Sequence, residues 1–273
     1  MKFYQLFFII ITGVSSSLHI DAFWSKWVDT ITAKFNYTTD VIVHKEFKKA
    51  KQLELYNTIG TIVINSWKQD FIAIEMIESC PQTFHKDIKI DAQQVEDVVT
   101  IHTIFIDEKI KGTVIFNILL PKNIDLTIFT KQGDIIIKDV NGSMNLETLV
   151  GNIKIVNPHR DVDVKAHDGN IILHTDSIAA DQTFTLESGK GTIEIYTTPA
   201  LQTYIHASAL QGKVISQIPI TLESTTTQLN AQAWKNFRQY VQGTIGQPIS
   251  KLNLIAHNGS ISIMSYAKQN NIF

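Results

Sequence analysis

The stretch LTIFTKQGDIIIKDVNGSMNLETLVGNIKIVNPHRDVDVKAHDGNIIL, from Leu126 to Leu173, repeats one phrase three times. The phrase is apolar-x-apolar-x-small-x-x-Gly-x-apolar-x-apolar, and its first copy runs from Leu126 through Gly133 to Ile137. Alternating apolar residues predict a strand with one buried face. The glycine predicts a tight corner, so each copy is interpreted as a strand, a corner and a second strand.

Further copies of this phrase lie on both sides of that stretch. The glycines of the seven copies are Gly60, Gly133, Gly151, Gly169, Gly191, Gly212 and Gly259, and a half-copy contains Gly142. The residue three positions before each copy's glycine is always Asn, Thr, Ala or Ser. From Gly151 the glycines advance by 18, 22 and 21 residues, to 169, 191 and 212, which is about one rung of a β-solenoid. A unit with one apolar face buries it by stacking on like units. We therefore predict that these eight glycines are structural turn residues of an all-β, single-domain β-solenoid or β-roll.

Composition limits the function classes. A chain of 273 residues with 44% hydrophobic content can bury a core as one domain. The formal net charge of −2 gives no general attraction to nucleic acid, so no nucleic-acid partner is predicted. Cys80 is the only cysteine, which excludes an internal disulfide and favours a small buried hydrophobe.

The N-terminus has the pattern of a secretory signal. Lys2 precedes an apolar run, Leu6 to Val14, that is too short to span a bilayer comfortably. We predict a signal peptide at residues 1–22 and an exported protein that is periplasmic, cell-surface or secreted. Membrane contact is then expected only through this segment, and an uncleaved anchor is the alternative.

Residues 23–52 are predicted to be an N-terminal cap or linker. The residues Trp24, Trp27, Val28, Ile31 and Phe35 follow helical spacing. A segment that covers the open end of the stack is favoured, because exposed edges promote aggregation. The alternative is a helix that binds a membrane surface or a partner.

The rest of the chain is divided into a repeat domain at residues 53–264 and a frayed tail at 265–273. Within the domain, residues 223–242 fit a helix about as well as a distorted hairpin.

Five segments, in this order, resemble the DUF4097 family of "putative adhesins". They are GTIVINSW at Gly60–Trp67, ILLPKNIDLTIFTKQGDI at Ile118–Ile135, NGSMNLETLVGNIKI at Asn141–Ile155, VISQIPITLES at Val214–Ser224, and GTIGQPISKLNLIAHNGSISI at Gly243–Ile263. The resemblance covers Leu53 to Met264. It departs from the family at Gln247-Pro248, where another glycine is usual.

The resemblance implies a solenoid-like all-β domain that is exported or associated with the cell envelope. It favours a hairpin over a helix for residues 223–242. It supplies no catalytic residues, and the adhesin label of the family is itself an inference.

Asp161 and Asp163 are the best candidates for an enzymatic site. They alternate on one strand face, about 7 Å apart by strand rise, within the range of carboxylate pairs that hydrolyse glycosides. Arg160, Lys165 and His167 lie nearby, however, and this mixed charge is typical of a solvated face. We predict no catalytic residues, and no GxSxG, P-loop or dinucleotide motif is present.

No metal or cofactor is predicted either. His167 and His257 occupy equivalent positions two before a glycine, but no Cys/His cluster accompanies them. Asx residues crowd the corners, where they are good turn formers, and the nonapeptide of calcium-binding rolls is absent. The corner residues are Asp134, Asn141, Asn152, Asp168, Asn170 and Asn258.

The sequence therefore predicts an exported, non-enzymatic, adhesin-like binding or scaffold module of the cell envelope or surface. Repeats of this kind present outward faces that can vary without harm to the core. The partner is unknown, and an envelope or surface glycan or protein is the class that fits. The alternatives are a polysaccharide-active β-helix enzyme and a structural protein that polymerises end to end.

Overall fold

The computed structural model describes residues 39–81, 86–107, 112–223 and 239–266. The predicted signal peptide, residues 23–38, most of the segment 223–242 and all but two residues of the predicted tail lie outside these ranges. Every secondary-structure element within them is a β-strand. The strands are β1 (Thr39–Lys48), β2 (Gln52–Ile59), β3 (Ile62–Trp67), β4 (Phe71–Cys80), β5 (Ile88–Val95), β6 (Val98–Phe105), β7 (Thr113–Pro121), β8 (Asp125–Gln132), β9 (Ile135–Lys138), β10 (Met144–Val150), β11 (Ile153–Val156), β12 (Val162–Asp168), β13 (Ile171–His174), β14 (Thr183–Lys190), β15 (Ile193–Thr197), β16 (Thr203–Ala209), β17 (Val214–Ser216), β18 (Thr221–Leu222), β19 (Tyr240–Ile245), β20 (Lys251–Asn258) and β21 (Ile261–Ser265).

The strands form two mixed sheets, so the all-β prediction is confirmed. Sheet A has the order β1-β4-β7-β3-β9-β11-β13-β15-β21-β17. Sheet B has the order β18-β19-β16-β20-β14-β12-β10-β8-β2-β6-β5. The described part of the chain has no helix long and apolar enough to cross a membrane.

Each copy of the phrase places its first strand in sheet B and its second strand in sheet A. Equivalent residues of successive copies pair in parallel register, as Met144 does with Leu126 on one side and Val162 on the other. The inward side chains of the two sheets meet in one core, which is why Leu146 and Ile153 of the third copy are both buried. The first and second strands of each copy therefore lie on opposite sides of one hydrophobic core.

The order of the copies in space differs from their order in the chain. β20 lies between β14 and β16, and β21 lies between β15 and β17. The seventh copy, with Gly259, is therefore inserted between the fifth and the sixth. The step of 21 residues from Gly191 to Gly212 consequently does not lead to the neighbouring unit.

The order of the strands in the sheet also departs from their order in the chain at the other end of the stack. β6 pairs in parallel with β2, and β7 pairs in parallel with β3, although β6 and β7 carry no copy of the phrase. The antiparallel strands β5 and β4 extend the two sheets beyond this pair. β1, at residues 39–48 of the predicted cap or linker, is the edge strand beside β4.

The corner glycines are required by close backbone approach. A Cβ added to Gly151 would lie 2.1 Å from the carbonyl oxygen of Gly133, and one added to Gly169 would lie 1.7 Å from that of Gly151. Gly151 also has a φ of +147°, which side chains rarely allow. The same stacking continues through Gly191, Gly259 and Gly212 in that order, and Gly142 instead approaches the carbonyl oxygen of Ile124.

The small residue three positions before each glycine turns inward next to the neighbouring corner. Thr148 donates its hydroxyl hydrogen to the Gly133 carbonyl oxygen at 3.1 Å, and Ser188 donates to that of Gly169 at 2.9 Å. A short side chain fits this space, and a hydroxyl also satisfies a buried carbonyl.

Asx residues after the glycines connect one unit to the next. Asp134 Oδ1 accepts a hydrogen bond from the Asn152 backbone N–H at 2.7 Å, and Asn152 Oδ1 accepts one from that of Asn170 at 3.0 Å. Asn170 Oδ1 accepts from Thr192 at 2.8 Å. These side chains have a structural use along the stack, which accounts for their crowding at the corners.

Candidate functional site

A groove of about 730 Å³ opens on the outer face of sheet B where β2 and β6 part. The backbone register of the two strands ends at Tyr56 and His102, although both strands continue. Beyond that point side chains bridge them: Thr58 N–H donates to Thr103 Oγ1 at 2.8 Å, and the Thr103 hydroxyl donates to Asn57 Oδ1 at 2.8 Å. The divergence of the strands creates the groove, and this network forms its floor.

Three rings stand in register along one side of the groove. Tyr56 on β2 is opposite His102 on β6 and Phe129 on β8. The rings of Tyr56 and His102 are stacked, with centroids 4.7 Å apart and an interplanar angle of 4°. Because neighbouring parallel strands lie about 4.8 Å apart, Phe129 occupies the same outward position one strand further on; we call these three rings the aromatic ladder.

The rest of the lining is amphipathic. Ile104, Ile106 and Val150 are 52%, 58% and 51% exposed, which is high for large apolar side chains. Lys131 and Asp107 add a cationic and an anionic group to the lining. Exposed apolar side chains that line one groove together with polar groups are typical of an interaction surface.

Another groove on this face, of about 410 Å³, contains Asp161 and Asp163. Asp161 Oδ1 accepts a hydrogen bond from the Thr183 backbone N–H at 2.7 Å. Asp125, at the equivalent place two units away, accepts one from Ser143 at 2.8 Å. Asp161 therefore has the same structural use as Asp125, and Asp163 is an exposed residue of β12.

His167 and His257 form equivalent pairs with glutamates of a neighbouring strand. The His167 Nε2 to Glu147 Oε1 distance is 2.7 Å, and the His257 Nε2 to Glu187 Oε1 distance is 2.9 Å. The four side chains are between 32% and 42% exposed, so each pair is weakly stabilising at most. Across the described ranges, no group of three or more His, Cys, Asp or Glu side chains is placed to hold a metal ion.

Other titratable groups belong to packing contacts. The ring of His174 stacks on that of Tyr196 at 4.6 Å, and burial, together with the Lys154 cation, lowers the pKa of His174. Burial and a hydrogen bond to Asp176 raise the pKa of Tyr266 to about 12. Cys80 is buried, with its Sγ 3.4 Å from Glu78 Oε1.

The aromatic ladder was not singled out from the sequence, although part of its signal is there. Tyr56 and Phe129 occupy the same outward position in the first and second copies of the phrase. His102 could not be added, because β6 carries no recognisable copy and its place beside β2 is decided by tertiary pairing.

The fold has distant relatives among solved structures. No family model matches the chain, and no curated protein matches it. A crystal structure described as a "putative cell adhesion protein" from Clostridium sporogenes is similar over 84% of this chain and 100% of its own, with 15% identity and a TM-score of 0.53. A "putative adhesin" from Bacteroides fragilis is similar over 83% of this chain and 98% of its own, with 13% identity and a TM-score of 0.43. At 15% identity the first similarity concerns the fold alone.

Proposed function

We propose that this protein is an exported, non-enzymatic, adhesin-like binding module of the cell envelope or surface, a solenoid-like member of the DUF4097 family. The observation that carries the proposal is the amphipathic groove with its ladder of Tyr56, His102 and Phe129. Aromatic side chains provide large contact areas with few rotatable bonds, which suits them to recognition. An envelope or surface glycan or protein is the proposed ligand.

The surroundings of the groove support a binding function. Tyr56 and Phe129 lie on the paired strands β2 and β8, whose inward residues are anchored in the core, so this side of the groove is preformed and little ordering of it is needed on binding. The Asp161 carboxylate is engaged by the backbone of the next unit. The enzyme alternative would require both carboxylates to be available to a substrate.

The test is retention of the purified chain from Phe23 to Phe273 on a panel of cell-envelope and matrix polysaccharides and surface proteins. Product masses are recorded in parallel. The double variant Tyr56→Ser/Phe129→Ser should reduce retention at least tenfold, whereas Thr185→Ala, on the outer face of β14, should not. Circular dichroism must show that both variants keep their strands.

The outcomes separate the alternatives. Retention that depends on the ring ladder, without new products, supports the binding function. Shortened polysaccharides that disappear in Asp163→Asn would replace it with an enzyme. Absence of both retention and products across the panel would favour a scaffold role.

A further inference from the structure

The gap between β2 and β6 has a short strand edge on each side. On the β6 side, the Ile106 N–H donates to the Asp87 carbonyl oxygen at 2.9 Å, and Ile88 is opposite Phe105 in the same antiparallel register. Antiparallel pairs alternate between hydrogen-bonded and non-hydrogen-bonded ones, so the N–H and C=O of Phe105 point away from β5. They therefore face the gap that opens toward β2.

The other side of the gap is formed by β2. The Thr58 N–H points toward β6, because it donates to Thr103 Oγ1 at 2.8 Å. The C=O of a strand residue points to the same side as its N–H, so the Thr58 carbonyl also faces the gap. The backbone pairing of the two strands has already ended at Tyr56 and His102. Two strand edges thus face each other over roughly 10 Å, the length of about three strand residues.

The side chains of β6 beside this gap alternate between the core and the outer face. Phe105 packs against the core, whereas Ile104 and Ile106 point outward and are 52% and 58% exposed. The rings of Tyr56 and Phe129 line the opposite side of the groove. An extended chain placed in the gap would bring its own alternate side chains between these isoleucines and the rings.

We propose that the groove binds an extended segment of a partner polypeptide that carries apolar side chains at alternate positions. The proposal rests on the binding function above and names the class of its ligand. A polypeptide has the N–H and C=O groups that complete an open strand edge, and strand addition is a recurring mode of peptide recognition. A glycan would place hydroxyl groups against the outward side chains of Ile104 and Ile106, where apolar contact is favoured.

The charges around the groove complement an acidic side chain. Lys131 is exposed in the lining and forms no ion pair among the described residues. Lys89 of β5 is exposed on the same outer face. The carboxylates nearby are already engaged, since Asp107 has an interaction partner and Asp91 accepts a hydrogen bond from Gln93 at 2.5 Å. The partner segment is therefore expected to carry Asp or Glu next to its apolar positions.

The first experiment uses immobilised synthetic peptides as the probe. They are blocked nonapeptides with Val, Ile or Phe at alternate positions, Thr between them and Glu at both ends. Each has a counterpart of the same sequence in which alternate backbone nitrogens are methylated, which prevents strand pairing and keeps the side chains. The purified chain should be retained by the best unmethylated peptides at least ten times more strongly than by their methylated counterparts.

Variants of the groove locate the binding site. Ile104→Thr/Ile106→Thr should lower retention on the best peptide at least tenfold, because the outward apolar contact is lost. Val95→Thr is the matched control: Val95 is 69% exposed on β5, outside the groove lining, and its replacement should leave retention unchanged. Circular dichroism must show that both variants keep their strands.

A charge exchange tests the acidic side chain of the ligand. Lys131→Glu should reverse the preference between peptides that end in Glu and otherwise identical peptides that end in Lys. Lys251→Glu, on the outer face of β20 and away from the groove, should leave that preference unchanged. An unchanged preference in Lys131→Glu would contradict the acidic character of the segment.

The remaining outcomes decide between ligand classes. Equal retention on methylated and unmethylated peptides, or retention on none of them, would overturn the proposal. If polysaccharides then hold the chain, and Tyr56→Ser/Phe129→Ser releases it, the binding function stands with a glycan as its ligand. Self-association of the wild type that is lost in Ile104→Thr/Ile106→Thr would identify a second copy of the chain as the occupant and would contradict a separate partner.

Discussion

The middle of the stack and its two ends are built from the same phrase in different ways. From β8 to β15 each copy stacks on the copy before it in the chain, with neighbouring glycines 18 or 22 residues apart. At the two ends of the stack the order of the strands in the sheet differs from their order in the chain. β20 lies between β14 and β16, and β2 lies between β8 and β6.

The difference shows that the middle of the stack is stabilised by contacts between units close in the sequence, and its ends by contacts between units far apart in the sequence. A middle unit meets its neighbours soon after it is made, so little loop-closure entropy opposes each step. The seventh copy must find a slot whose two sides, β14 and β16, were made earlier. The C-terminal end of the stack is therefore expected to depend on one late insertion.

Removal of that insertion should have the largest effect. Deletion of residues 251–266 takes away Leu252, Leu254, Ile261 and Ile263, all at most 1% exposed. At about 1.5–3 kcal/mol each, their loss would cost roughly 6–12 kcal/mol, comparable to the whole stability of a typical domain. We expect the cooperative thermal transition, followed by circular dichroism, to disappear.

The matched control is deletion of residues 267–273, which should leave that transition in place. If the chain without residues 251–266 melted like the wild type, the fifth and sixth copies would have closed on each other, and the insertion would not be needed.

A Cβ at the corner should cost more in the middle than at the end. Gly151→Ala and Gly212→Ala each place a Cβ about 2 Å from a neighbouring carbonyl oxygen. Gly151 lies between two stacked units, whereas Gly212 precedes β17, the last strand of sheet A, which can shift outward. We expect losses of roughly 2–4 kcal/mol for Gly151→Ala, with similar values at Gly133 and Gly169, and roughly 1–2 kcal/mol for Gly212→Ala.

Urea unfolding measures both values, and Ser262→Ala on the outer face of β21 serves as the control. Equal losses at Gly151 and Gly212 would mean that the end is as constrained as the middle. Unchanged stability for the middle glycines would remove the close-approach explanation of the corner.

The hydroxyl at the corner should contribute less. Thr148→Val keeps the shape of the side chain but loses the hydrogen bond to the Gly133 carbonyl, so about 1 kcal/mol of stability should be lost. Ala166 occupies the same phrase position without a hydroxyl, and Ala166→Ser should recover part of that energy, as Ser188 does. If Thr148→Val lowers the free energy of unfolding and Ala166→Ser does not raise it, the corner hydroxyl stabilises only particular units.

The smallest expected effect concerns pH at the other end of the stack. Burial raises the pKa of Glu75, while the Asn117 hydrogen bond and His44 act in the opposite direction. The folded state then holds the Glu75 proton more tightly than the unfolded chain does. The stabilisation is therefore fully present below the ordinary glutamate pKa of 4.5 and is lost as pH rises through the folded value.

Glu75→Gln, which cannot ionise, should accordingly be more stable than the wild type at neutral pH and lose that advantage in acid. Urea unfolding at pH 4 and pH 8 gives the comparison, with Asp163→Asn as the exposed control. An advantage that stays the same at both pH values would show that Glu75 does not titrate within this range.

Much of the local architecture was predictable because it depends on neighbours in the sequence. The alternation in Leu126–Ile128 and Ile135–Ile137 predicted the inward faces, and the corner between them follows from Gly133. The groove was less accessible to prediction. Tyr56 and Phe129 share a phrase position, but their meeting with His102 and the divergence of β2 from β6 depend on a strand made about forty residues later.

The sequence by itself determined that the repeats of this chain are all-β, where their strands turn inward, and which positions have no room for a side chain. The alternation of buried and outward residues along a strand, and the glycine without a Cβ at the corner, are both set within a single copy of the phrase. Only the tertiary structure decided which unit stacks on which, because every copy of the phrase offers the same edges to its neighbours. Pairing with β14 and β16 placed Gly259 between Gly191 and Gly212, and the pairing of β6 with β2 brought the three rings of the groove together.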